Sequence, residues 1–569
     1  MNQYVKLSLK FMAIFLIALF CSEDLIAQRQ KISYYPLTAN QPDSTANPRE
    51  VVSDKAHLRA QTNRDYDNLI SSVAPEYELV NLNSFKYYRI AELPHHPVYY
   101  QEIIPADTAF EYSGKTDTIL GYPCRHARMM IFSNTVEFWV ADELPFKATP
   151  YPSIGIADGS VLKVLINGSG GYEAFKVEHE KGGVFFPELL GEELSQTEYQ
   201  KRLRDNHVRK IDVFSDVQLS FGNPIQNPVN HHADSVFHYS KGTVALKKVA
   251  LPALYNHTVF LKLSEKSAGD AYDRTGSVFL IRPSHKITFL DALLDSLQVL
   301  PVMKDNNGKE YHGFTQTSGY EPPVELLRFF TPFGVGHFND KRQVSGLQWQ
   351  DSAYYEQDVS SAVIPFSEDE VWIGVYIANY DKGGHRVSLS LDAHPNSQSK
   401  STQPDSLWAL PLFQTLNIME MSGQEYSRFF DNDTLCVDFE IPDHVEDLQL
   451  RYISTGHGGW AEGDEFTPKV NTILIDDEEV YSYTPWREDC SVYRPLNPAS
   501  GNFWNGISSS DLSRSGWCPG AATNPEYITL PGLEPGKHTI KVIIPQGEPE
   551  ENSFSSWNVS GLLTGKMKE

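Results

Sequence analysis

The chain has 569 residues, is 41% hydrophobic and 12% aromatic, and carries a formal net charge of -25. That length exceeds one ordinary core and implies about two to four domains, and the apolar content excludes a disordered polypeptide. So strong a negative balance argues against nucleic acid, whose phosphates would repel the protein.

Taken in order, the chain opens like an export signal. Lys6 and Lys10 precede an uncharged apolar run over residues 11–20, and Leu25-Ile26-Ala27 offers a small residue at a cleavage point. The run is too short to span a bilayer, and no later stretch reaches that length. An exported protein (periplasm, cell surface or extracellular) without a transmembrane segment is expected. A lipid anchor on Cys21 is the weaker alternative, because bulky Phe20 precedes it.

Beyond the signal, helical periodicity is scarce, and short β-rich runs bounded by Gly, Pro, Asn and Asp recur. Strands are predicted over residues 129–132, 136–140 and 161–166, then 258–263, 277–281, 371–377 and 387–391, and finally 448–454, 472–475 and 538–544. Two short helices are predicted, over residues 196–204 and 290–297. This pattern is that of an all-β protein built of antiparallel sandwiches or jelly rolls. A charged run over residues 203–210 and a polar, Pro- and Ser-containing run over 396–405 read as joints. The expected division is a signal peptide at 1–27, a β-rich accessory domain at 28–208, and two further domains at 209–398 and 399–569.

Outside the signal the cysteines are Cys124, Cys436, Cys490 and Cys518. Their spacing matches no zinc pattern, and in an exported protein they allow three full pairings. Cys490 and Cys518 flank a Gly- and Ser-rich loop that a disulfide would staple. Cys124 and Cys436 sit in apolar, strand-like contexts and are expected to be buried thiols.

Three segments carry residues suited to chemistry. Gly269-Asp270-Ala271-Tyr272-Asp273-Arg274 falls between two predicted strands, where functional side chains are often mounted. Gly456-His457-Gly458-Gly459-Trp460 leads to Gly463-Asp464-Glu465-Phe466, and Arg514-Ser515-Gly516-Trp517-Cys518-Pro519-Gly520 follows later. Each has a bland reading, as a solvated acidic turn, a backbone-bonded histidine or a core tryptophan. Together they combine close backbone approach, flat apolar faces, carboxylates and forked donors, which suits a sugar-binding cleft with charge chemistry.

From about Asp212 onward the chain resembles the bacterial peptide-N-glycosidase F family, amidases that remove N-linked glycans from glycoproteins. Residues 269–274 look like the family loop ending in Trp-Asp-Arg, with Tyr272 in place of the tryptophan. Arg328-Phe329-Phe330-Thr331-Pro332 resembles a later segment of the same first jelly roll. Glu465 falls where the family has its second functional carboxylate, and residues 514–520 are the nearest match. The third acidic residue of the family has no counterpart, since Ala378-Asn379-Tyr380 stands there and only Asp381 is at hand. Leu120-Gly121-Tyr122-Pro123-Cys124 and Ala141-Asp142-Glu143-Leu144-Pro145 are similar to a GLPGLI-type secreted domain, which points to the branch with an extra bowl-like N-terminal domain.

The resemblance implies two adjacent eight-stranded antiparallel jelly rolls behind that domain. It also implies a Cys490–Cys518 disulfide and hydrolysis of the amide between Asn and the first N-acetylglucosamine. Asp273 would be the essential carboxylate, activating water or attacking directly, and Glu465 would orient the first sugars. Arg274 and Arg514 would donate to the carbonyl oxygen or sugar hydroxyls, while Tyr272, Trp460 and Trp517 offer stacking faces beside His457. No metal or organic cofactor is expected, and the partners would be N-glycosylated proteins or glycopeptides acted on by a monomer. The alternatives are a non-catalytic glycan-binding protein on the same scaffold and an endo-acting glycoside hydrolase with Asp273 and Glu465 as its carboxyl pair.

Overall fold

The structure is a computed structural model that describes residues 28–61, 75–93, 96–106, 109–187, 190–222, 227–228, 235–283, 285–395, 407–458, 463–548 and 554–568. The signal-like segment and the 396–405 joint therefore lie outside the described residues. Contacts divide the chain into two compact units, one ending at His207 and the other starting at Val208.

The first unit is one sheet of thirteen strands, antiparallel throughout except where Glu192–Glu193 runs parallel to Val98–Ile103. Period-2 alternation drives its strands. In Arg49–Ser53, Arg49, Val51 and Ser53 are buried while Glu50 and Val52 are half-buried. One core cluster gathers Ile32, Tyr34, Leu58, Val80 and Tyr87, and another gathers Phe110, Phe138 and Val161. The helix Gln196–His207 belongs to this unit, with Tyr199 fully buried, its ring against Tyr100 at 5.0 Å and its hydroxyl donating to Glu76 at 2.8 Å.

The second unit holds two antiparallel jelly rolls in sequence. The first pairs a four-stranded sheet with a sheet of six, the sixth strand of which, Ala522–Thr523, comes from the far end of the chain. The second consists of two four-stranded sheets. Each has its own apolar core, centred on residues such as Leu261, Val278, Leu326 and Val375 in one and Phe413, Tyr452, Trp557 and Val559 in the other.

Val324–Phe330 is buried along its whole length because its two faces have different neighbours. Leu326, Leu327 and Phe329 join the first core. Glu325 and Arg328, both fully buried with an Nη2–Oε2 distance of 2.7 Å, face the second roll. There Arg328 donates to Thr455 Oγ1 at 3.1 Å and to the carbonyl of Asn558, and Ser560 donates to Glu325 Oε2 at 2.5 Å. Arg451 returns the contact by donating to the carbonyls of Glu325 and Leu326 at 2.6 and 2.8 Å.

Every strand predicted from sequence is present, several of them longer than predicted. Cys490 and Cys518 are bonded, with Cα atoms 5.1 Å apart. Cys124 is a buried free thiol, but Cys436 is exposed. The correction follows from pleat: in Leu435–Ile441 the odd-numbered residues are buried, so position 436 points outward with Asp438 and Glu440. Among the described residues, no helix is long and apolar enough to cross a membrane.

Candidate active site

The loop between His257–Ser267 and Thr275–Ile281 is pinned by close backbone packing and by hydrogen bonds from its own and neighbouring residues. Gly269 has φ +151°, and a Cβ there would meet Gly383 Cα at 3.0 Å, so only glycine allows this approach. Asp270 is 1% exposed and turns the loop, accepting from the Tyr272 amide at 3.1 Å. It also holds Arg274 through Nε at 2.8 Å and Nη2 at 3.2 Å. Thr331 clamps the loop from the neighbouring strand, its hydroxyl accepting from the Arg274 amide at 2.9 Å and its amide donating to the Arg274 carbonyl. Residues 328–332 thus support the loop that bears Asp273.

Asp273 meets the second jelly roll at Arg514. The Arg514 guanidinium is 1% exposed, lies 3.6 Å from Asp273 Oδ2, and donates from Nε to Glu465 Oε1 at 2.9 Å. Two carboxylates from different jelly rolls therefore share one buried cation. Burial raises the pKa of Asp273 against the pull of Arg514 and Arg274. Burial also pushes Glu465 up to about 7, with Arg514 opposing and Asp273 adding to the rise. Such elevated carboxyls are the groups a general acid–base site requires near neutral pH.

Four of the five Arg514 N–H groups are hydrogen-bonded within the protein, and the fifth, on Nη2, is on the side of Asp273 at a charge-contact distance of 3.6 Å. Nη1 donates to the carbonyls of Ser509 and Leu512 at 2.6 and 3.2 Å, and Nη2 donates to Ser509 Oγ at 3.1 Å. Most of its donors therefore serve the protein itself, where they hold the two carboxylates, and not the sugar or carbonyl expected of them. Trp517 does not offer the stacking face expected of it. It is 4% exposed, stacked on Phe330 with centroids 4.2 Å apart, covered by Arg514 at 4.8 Å, and donates from Nε1 to Gly456 O at 2.9 Å. Glycine loops here surround a core tryptophan instead of exposing it. Trp460 lies outside the described residues.

His457 is part of the same stack, 5.5 Å from the Phe330 ring and 2.8 Å from Thr455 Oγ1. Burial, with the nearby Arg328 and Arg514 charges, pulls its pKa down to about 3, so it is a neutral imidazole. Asp464 is no solvated turn residue. It is fully buried and accepts from Trp557 Nε1 at 2.7 Å and from the Gly547 amide at 3.0 Å.

In front of Asp273 opens a cleft of about 350 Å³ whose lining includes Arg274, Tyr380, Glu420, Gln424 and Arg428. The Arg274 guanidinium lies between the Tyr272 and Tyr380 rings, 5.1 and 5.2 Å from their centroids. Tyr272 is 62% exposed, so its ring remains available to a ligand.

Sequence reasoning missed Glu420. It sits in the 3₁₀ turn Glu420–Ser422, outside every predicted strand, and accepts from Tyr380 at 2.5 Å and Tyr376 at 3.3 Å. Asp381, the carboxylate nearest the position of the absent one, is not part of the cleft lining, and its Oδ1 accepts from the Gly383 amide at 2.6 Å and closes a turn. Glu420 enters the cleft lining from the second half of the chain. A second missed residue is Trp504, 93% exposed on a loop whose Phe503 packs against Phe466, the neighbour of Glu465. Among the described residues no cluster of His, Cys, Asp or Glu is arranged to hold a metal ion.

Comparison with solved structures settles the relationship. The structure of PNGF-II in space group P21 is 38% identical, covers 95% of this chain and 100% of its own, and superposes with a TM-score of 0.82. The chain belongs to the peptide-N-glycosidase F family. PNGF-II in space group C2 agrees, at 38% identity, coverage of 95% and 99%, and a TM-score of 0.77. Within the family, profiles for the N-terminal and C-terminal parts of peptide-N-glycosidase F match residues 210–393 and 425–564. A profile for the N-glycanase peptide N-terminal domain matches residues 32–197, so this member carries the extra domain. Recombinant peptide: N-glycanase F (PNGase F) is 17% identical, with coverage of 64% and 96% and a TM-score of 0.43. Curated proteins give no match.

Proposed function

We propose that the protein is an exported amidase that cleaves the bond between an asparagine side chain and the first N-acetylglucosamine of N-linked glycans. The observation that carries this reading is the Arg514 bridge, which brings Asp273 and Glu465 together at 3.6 and 2.9 Å beside a cleft that Arg274 lines. The Cys490–Cys518 disulfide accords with an oxidising compartment.

An unstrained amide needs an activated nucleophile and a stabilised oxyanion. Asp273 takes a proton from water, whose oxygen forms the new bond to the amide carbon. Arg274 Nη1, which has no hydrogen bond among the described residues, donates to the developing oxyanion while Nε and Nη2 stay on Asp270. Collapse breaks the carbon–nitrogen bond, the nitrogen takes up the proton, and the products are an aspartate side chain and a glycosylamine. Glu465 and Glu420 accept from or donate to sugar hydroxyls, and the exposed Tyr272 ring stacks on a pyranose face.

The test is to incubate a denatured glycoprotein with the protein and weigh the peptide. Conversion of Asn to Asp adds one mass unit. A residual N-acetylglucosamine on the peptide would overturn the reading in favour of a glycosidase, and an unchanged peptide with measurable glycan affinity would leave a binding protein.

A further inference from the structure

Behind the cleft lies a row of ionisable side chains that ends on Arg274 and whose other members the reaction does not touch. Glu265 and His385 are each fully buried, and Glu265 Oε1 is 2.7 Å from His385 Nδ1. His385 Nε2 faces Asp270 Oδ2 at 3.6 Å, a charge contact longer than a hydrogen bond. Asp270 in turn grips Arg274. Strand pairing fixes the first two members, since His257–Ser267 and His385–Pro395 are hydrogen-bonded neighbours. Of the polar neighbours, Ser267 donates to the Asp270 carbonyl at 2.6 Å, and Tyr355 on Ala353–Asp358 directs its hydroxyl to the Phe330 carbonyl at 2.8 Å.

Core packing does not account for such a row. Apolar residues of the same volume would cost less than four desolvated charges. Two carboxyl groups alternate with two basic groups; burial raises the Glu265 pKa while His385 opposes it, and deleting any one member takes from its neighbour the group of opposite character. Burial alone would lower the His385 pKa, but Asp270 and Glu265 outweigh it and push it up to about 9. The imidazole is therefore a cation at neutral pH, and it stabilises Asp270 as the anion that Arg274 needs.

We propose that Glu265, His385 and Asp270 form a buried charge chain that aims the Arg274 guanidinium into the cleft, with His385 as a positioning residue. The inference rests on the amidase reading for its kinetic consequence, but its structural consequence is independent of it. Neutralising His385 loosens Asp270, and Arg274 then swings off the line on which Nη1 meets the oxyanion. A misplacement on the order of 1 Å lowers turnover about 100-fold.

The experiment compares wild type with His385→Gln and the milder Glu265→Gln in full-length protein, using a glycopeptide and ¹⁵N spectra of arginine Nε–H groups. Arg274→Lys identifies the Arg274 signal by its loss. In wild type that Nε–H exchanges slowly with solvent. In either variant it exchanges at least about 10-fold faster, kcat falls about 10- to 100-fold, and KM changes less than about three-fold. Unchanged Arg274 exchange in the folded variants overturns the proposal whether or not the protein proves to be an amidase. If His385→Gln does not fold, Glu265→Gln decides alone. Wild-type protein that releases no Asp-containing peptide overturns the amidase reading and leaves the exchange test standing.

Discussion

Asp273 is the side chain on which the proposed chemistry turns, and its geometry sets the expected outcome of removing it. Asp273→Asn keeps the size and one oxygen beside Arg514, so the fold should persist while glycan release falls by about 10³-fold or more. Wild-type rates in that variant would take Asp273 out of the reaction. Glu465 gives a pH prediction. Its native pKa, about 7 against 4.5 for an ordinary carboxyl, means that the native state holds a proton the unfolded chain has lost between those values. Stability therefore falls as pH rises through that window. Glu465→Gln should narrow the difference in urea midpoint between pH 5 and pH 8, and an undiminished difference would contradict the assignment. His385 works at higher pH. Its pKa is raised to about 9, so its contribution is full below about 6.5 and is lost as pH climbs through 9.

At the scale of elements, the loops that carry the site differ in what holds them. Cys490 and Cys518, 28 positions apart, close the segment that leads to Arg514. Replacing both by serine should cost roughly 3–4 kcal/mol by the loop-entropy relation, read as a lower unfolding midpoint. Trp504 is mounted on a loop beside Glu465 with 93% of its surface exposed. Trp504→Ala should raise KM for a glycopeptide several-fold at unchanged thermal stability, and an unchanged KM would make it a bystander. Legibility varied along the same lines. The loop at 269–274 was readable because strong strands flank it, and glycine and charge mark it out. The first eight strands of the N-terminal sheet were missed; Gln28–Thr38, for one, mixes charge, aromatics and Pro36 without clean alternation. Leu407–Gln414 was missed as well; it contains Pro411, beside which its register shifts.

In the whole molecule, the two jelly rolls must keep a fixed relative position if Asp273 and Glu465 are to share Arg514. The fully buried Arg328–Glu325 pair, at 2.7 Å, holds that joint. Arg328→Met leaves Glu325 with the Ser277 and Ser560 hydroxyls but without its cation and should cost about 3–5 kcal/mol. Pairing it with Glu325→Met should recover much of that stability, which denaturant unfolding of the single and double variants would show. By itself the sequence determined the all-β class, the strand cores and the segments that bear Asp273, Glu465 and Arg514. Alternation and turn residues are local properties that neighbouring positions spell out. Only the tertiary structure decided which aromatics face the cleft, that Arg514 serves the carboxylates, and that Glu420 lines the cleft. Those outcomes depend on contacts between residues far apart in the chain, and no local pattern encodes which donor is already occupied or which ring is already covered.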